Sequence, residues 1–135
     1  MKNKPEVKKE SEKSKIWLED EGILRIKIGK TWGEEIMEKI VYDVEKIINN
    51  QPTKTKFLVD LNLVPTHFIS SKYRRNVVKI ARDAIKKIKF EKVAIFGTTN
   101  TITKVVISFV VSAARLKNIK IFDTEKQALK WLKEE

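Results

Sequence analysis

The chain has 135 residues, 41% of them hydrophobic and 35% charged, a balance that predicts one soluble globular domain with a single core. It contains no cysteine, which excludes disulfide scaffolds, thiolate metal sites and cysteine nucleophiles, and its one histidine, His67, confines histidine chemistry to a single residue. The opening MKNKPEVKKESEKSK is charged throughout without the apolar centre of a signal peptide, and no run reaches the roughly 20 apolar residues of a membrane span, so a cytoplasmic location is expected.

In chain order, residues 1–14 have only Val7 to bury and are expected to form a charged, disordered tail ahead of a domain over 15–135. Ile16–Leu18 and Ile23–Ile28 flank Asp20-Glu21-Gly22, where glycine can supply a positive φ, so a β-hairpin is expected. The next stretch, 31–50, carries a Thr31/Glu34 capping box. Ile36, Ile40, Val44 and Ile47 recur there at helical spacing, and Asn49, Asn50 and Pro52 stop the helix. Phe57–Leu61 has the short apolar character of a buried strand. From Ser70 or Ser71 as N-cap a helix runs to about Lys89, with Tyr73, Val77, Ala81, Ala84, Ile85 and Ile88 inward.

The run KVAIFG predicts a second buried strand ending at Gly97. Residues 101–117 mix strand-favouring valines and isoleucines with helical length and cap residues, and a helix is expected. NIKIFD is a last strand. Thr124 with Gln127 forms another capping box, opening a helix that buries Ala128, Leu129, Trp131 and Leu132. Strands alternating with helices mean right-handed crossovers, so the expected fold is a single α/β domain. Its mainly parallel central sheet would have about five strands, an N-terminal hairpin and about four helices.

The hairpin IWLEDEGILRIKI, the strand FLVDLN followed by FISS and a helix, the strand-turn-helix VAIFGTTNTITKVV and the closing IKIFDTEKQALKWL together resemble the SpoIIAA-like members of the STAS superfamily. That superfamily shares a broad fold similarity with CRAL-TRIO lipid carriers. The resemblance implies a non-enzymatic regulatory domain without a cofactor. It also implies phosphorylation by a partner kinase of a serine opening the helix after FLVDL, which falls on Ser70, with Ser71 beside it. Ile69 stands where those proteins usually have aspartate, and Lys72 where they have glycine.

Taken on chemistry alone, Ser70 and Ser71 suit a helix cap, and a phosphate there would sit on the helix N-terminus near Lys72, Arg74 and Arg75. Asp60, His67 and a serine are the residue types of a hydrolytic triad, but the G-x-S-x-G elbow is missing, and no second histidine completes a metal site. Thr98, Thr99 and Asn100 follow Gly97 where a strand opens into a helix, a place that can cradle an anion. They lack the lysine and spacing of a P-loop. Parallel strands would bring residues 62–71 and 97–101 to one edge of the sheet, the best expectation for a site.

Residues 72–92 hold nine basic and two acidic side chains, a net +7. Within them Lys72, Arg75, Lys79, Arg82, Lys86 and Lys89 step by three and four and form one stripe. Such a stripe favours an acidic protein partner or an anionic membrane surface, and nucleic acid least, because no aromatic platform accompanies it. Residues 102–116 are apolar nearly all round. Val106, Phe109 and Val110 are the candidates there for core, for a homodimer patch, or for contact with a lipid or other hydrophobic ligand held between sheet and helices.

Overall fold

The computed structural model describes residues 13–19, 21–30, 34–51, 54–63, 76, 79–80, 82–84, 86–97 and 118–134. Five strands form one sheet in the order β1-β2-β3-β4-β5: β1 (Lys15–Leu18), β2 (Ile23–Lys27), β3 (Thr55–Asp60), β4 (Phe90–Phe96) and β5 (Ile119–Phe122). Only the β1–β2 pair is antiparallel; the other three pairs are parallel. The hairpin closes as the sequence predicts. The Gly22 amide donates to the Glu19 carbonyl at 3.0 Å, and Gly22 has φ +75°, a conformation glycine adopts without strain. Helix α1 (Glu34–Asn49) follows β2, and helix α2 (Glu125–Lys133) follows β5. The described residues between 76 and 87 are helical.

Because the parallel strands advance in one direction across the sheet, the described parts of the connections from β2 to β3 and from β3 to β4 fall on the same face. On that face Leu24, Ile26, Phe57 and Val93 from the sheet meet Ile40 and Val44 of α1, with Ile88 packed against them. Among the described residues of 76–87, Ala84 is buried and Lys87 pairs with Glu45 of α1 at 3.9 Å. The period of two along each strand sends the alternate residues Ile23, Leu58, Ala94 and Phe96 to the opposite face, where Ala128 and Leu132 of α2 cover them. The layers are therefore crossover helices, sheet and C-terminal helix.

Helix α2 begins with the expected capping box. The Thr124 hydroxyl accepts from the Gln127 amide at 3.2 Å, and the Gln127 side chain accepts from the Thr124 amide at 3.3 Å. Charge then fastens both of its ends. Arg25 on β2 pairs with Glu125 at 2.5 Å, and Lys92 on β4 donates to the Trp131 and Glu134 carbonyls at 3.0 and 2.7 Å. An acid at the helix start and a cation on its last carbonyls both complement the helix dipole.

Two sequence expectations shift in detail. Leu129 and Trp131 are half-buried rather than buried, because they sit at the margin of the α2 face. Trp131 there packs at 5.6 Å against Phe122 and carries the Lys92 and Lys120 ammonium groups at 5.0 and 5.4 Å over its ring. Ser14, at the end of the expected tail, accepts a 2.8 Å hydrogen bond from the Gly29 amide. Residues 1–12 of that tail, Thr31 and the expected helix 101–117 lie outside the described residues, so the expected count of four helices extends beyond them.

Candidate functional site at the strand carboxyl ends

The ends of β2, β3 and β4 meet at one edge, and hydrogen bonds continue the sheet just past them. The Ile28 amide donates to the Asp60 carbonyl at 3.0 Å, and the Leu61 amide to the Phe96 carbonyl at 2.9 Å. The chain then turns, with the Asp60 carboxylate accepting from the Asn62 amide at 2.8 Å. This short side-chain turn ends the strand without an orphaned amide. Gly97, at φ +95°, lies against that turn. A β-carbon on it would stand 2.7 Å from Asn62 Oδ1 and 2.8 Å from the Asn62 backbone nitrogen, so only glycine fits.

The start of the junction after β3 and the start of the one after β4 are thereby brought together, as the parallel topology requires. Asp60 acts there as a turn cap. His67 and Ser70, the other members of the Asp-His-Ser set, lie outside the described residues. So do Ser71, Lys72, Arg74, Arg75, Thr98, Thr99, Asn100, Val106, Phe109 and Val110.

Of the basic stripe the described part is Lys79, Arg82, Lys86 and Lys89. Lys79, Lys86 and Lys89 are exposed, and Arg82 is half-buried. Among the described residues none of the four has an ion-pair partner, whereas their neighbour Lys87 turns to Glu45 on α1. Like charges three and four residues apart on a helix repel by about 0.2–0.5 kcal/mol per pair.

Two features were not foreseen from the sequence. An open groove of about 470 Å³ lies between β1 and α1, lined by Ile16, Ile36, Ile40 and Ile47 with Lys39 and Lys46 beside them. The α1 isoleucines were visible at helical spacing, but that β1 leaves part of them uncovered is a packing outcome. The second is Arg25, which has Glu19 on its Nε and Glu125 on its Nη1. Partial burial by itself would lower the pKa of this guanidinium. The hydrogen bond and charge of Glu125, joined by those of Glu19, outweigh that and hold it above its ordinary value, fully charged.

Among the described residues no group of three acidic or histidine side chains could hold a metal ion, and no helix is long and apolar enough to cross a membrane. A mainly parallel five-stranded sheet with an N-terminal hairpin and helices on both faces defines a STAS-like α/β domain. The model of the SpoIIAA-like family matches residues 23–133, most of the chain, and the protein belongs to that family. No curated protein sequence matches it.

Proposed function

We propose that this chain is a non-enzymatic STAS-type regulatory domain that binds an acidic protein partner through the strand carboxyl edge and the basic helix 70–89. The observation that carries this reading is the row Lys79, Arg82, Lys86 and Lys89, three of them exposed and Arg82 half-buried, with no ion pair among the described residues. A one-sign row of that kind is self-repulsive in the free protein and is relieved by a partner of opposite charge. Membership of the SpoIIAA-like family supports a role in interaction over one in catalysis. Ser70 and Ser71, with Lys72, Arg74 and Arg75 behind them, form the proposed phosphosite, and phosphorylation would add negative charge at the head of the basic helix and so switch its preference for an acidic surface. Thr98, Thr99 and Asn100 complete the proposed edge.

The test is capture of partners from native cells followed by affinity measurement with Lys79→Glu/Arg82→Glu. Reversing both charges is expected to weaken binding by on the order of tenfold or more and to flatten its salt dependence. An unchanged affinity would refute the assignment of this surface. The second reading, a lipid or other hydrophobic ligand against Val106, Phe109 and Val110, is suggested by the apolar run 102–116. Native mass spectrometry with no co-purified mass and no lipid uptake would dismiss it.

A further inference from the structure

Among the described residues no strand lies on the outer side of β1, and its exposed side chains are largely apolar. Trp17 is 39% and Leu18 41% exposed, two of the three large exposed hydrophobic residues among those described. Unpaired edges of this kind invite a further strand. We infer that β1 is a self-association surface, pairing antiparallel with β1 of a second copy of this chain about a two-fold axis at Trp17.

The backbone selects the possible registers. The Glu19 amide donates to the Ile23 carbonyl at 2.9 Å, which directs the amide and carbonyl of Glu19 toward β2. Alternation along the strand directs those of Trp17 and Lys15 the same way, through the register Trp17↔Arg25 and Lys15↔Lys27. The amides and carbonyls of Ile16 and Leu18 therefore point away from the sheet. An added antiparallel strand must pair even-numbered residues with even-numbered ones, and two-fold symmetry leaves registers centred on Ile16, Trp17 or Leu18.

Side chains choose among these three. Centred on Ile16, the pairing sets Lys15 against Trp17. Centred on Leu18, it sets Trp17 against Glu19. Centred on Trp17, it sets Ile16 against Leu18 on the α1 face, where both extend the core below α1, and Lys15 against Glu19 with Trp17 against Trp17 on the α2 face. From Lys15 to Glu19, only this last register sets basic against acidic and apolar against apolar at every position. Opposed cross-strand charges stabilise a sheet, and like charges directly opposite one another destabilise it. Lys15 at the start of β1 and Glu19 just past its end, a carboxylate that Arg25 also holds, make the segment complementary to itself read backwards, which a protective edge of uniform charge would not be. The isologous pair would join two five-stranded sheets into one and close the edge on itself. Strand β1 precedes the residues that the family model matches.

The absence of cysteine allows a direct test with the full chain. In the inferred dimer the two Trp17 α-carbons face each other in a non-hydrogen-bonded pair at about 4.5 Å, within disulfide reach. The two Lys15 residues are offset by roughly 14 Å along the strands, out of reach. Trp17→Cys is expected to cross-link under mild oxidation at least tenfold faster than Lys15→Cys. By light scattering the unmodified protein should approach twice 15.7 kDa as concentration rises through the micromolar range.

Leu18→Pro, which removes an outward amide and leaves the β1–β2 hydrogen bonds intact, should remain at 15.7 kDa with an unchanged far-ultraviolet circular dichroism spectrum. Should that variant fail to fold, Lys15→Glu, at an exposed position, is expected to raise the dissociation constant at least tenfold. A wild-type protein that stays monomeric, an association that survives both variants, or equal cross-linking at positions 15 and 17 would overturn the inference.

Discussion

Replacing Gly97 with alanine tests the geometry of the strand carboxyl edge most directly. Two costs add. The backbone there has φ +95°, which a residue with a β-carbon occupies at about 1–3 kcal/mol. The new methyl would also lie 2.8 Å from the backbone nitrogen of Asn62, which cannot swing aside as a side chain can, so the ends of β3 and β4 must part. Parting them strains the hydrogen bond from the Leu61 amide to the Phe96 carbonyl, with a net loss of about 0.5–1.5 kcal/mol. The expected total is about 2–4 kcal/mol, measured as a lower urea midpoint at unchanged slope. Adding Asn62→Gly removes the contact to Oδ1 at 2.7 Å but neither the φ cost nor the backbone contact, so it should recover only a minor part of the loss. A loss below about 1 kcal/mol for Gly97→Ala, or complete rescue by Asn62→Gly, would refute the reasoning from backbone contact and φ.

Leu132→Ala empties a fully buried position under α2 and should cost about 2–5 kcal/mol in the same urea assay, with hydrogen exchange of α2 amides rising first. Arg25→Met leaves the Glu19 and Glu125 carboxylates facing each other without their cation. With Glu125 nearly half exposed and its charge screened by solvent, the expected loss is about 1–2 kcal/mol, and it should shrink in roughly 1 M salt. Arg82→Glu, single and without partner, converts repulsions from Lys79 and Lys86 into attractions and should stabilise the free domain by about 0.5–1.5 kcal/mol by thermal melting, even as it weakens partner capture. A destabilised Arg82→Glu would mean that the basic row is already neutralised within the folded chain.

Much of the fold was legible because local signals and tertiary arrangement agree. Gly22 marked the hairpin turn and takes the positive φ expected of it. Thr124 and Gln127 form the capping box their spacing implied. The isoleucines of 31–50 line one face because a helical period leaves them no other arrangement, and Ile40 is buried in the core. The candidate site was legible more coarsely. Parallel topology placed the ends of β3 and β4 together, where Gly97 comes against Asn62, while the site residues expected beyond them lie outside the described residues. The basic stripe was visible from spacing, but not that Lys87 would leave it for Glu45, since that depends on which helix lies alongside.

By itself the sequence determined the class of element over the described residues, most of the faces those elements bury, and the excess of positive charge after β3, because all three follow from periodicity and composition within a few turns of chain. Tertiary structure alone decided matters between residues far apart. Arg25 meets Glu125 across 100 positions, and Lys92 closes the carbonyls of a helix 39 and 42 residues further on. The sheet order likewise leaves β1 as an outer strand with Trp17 and Leu18 exposed. Pattern in one segment carries no information about which distant segment will supply its counter-charge or cover its edge; that is settled only when the layers pack.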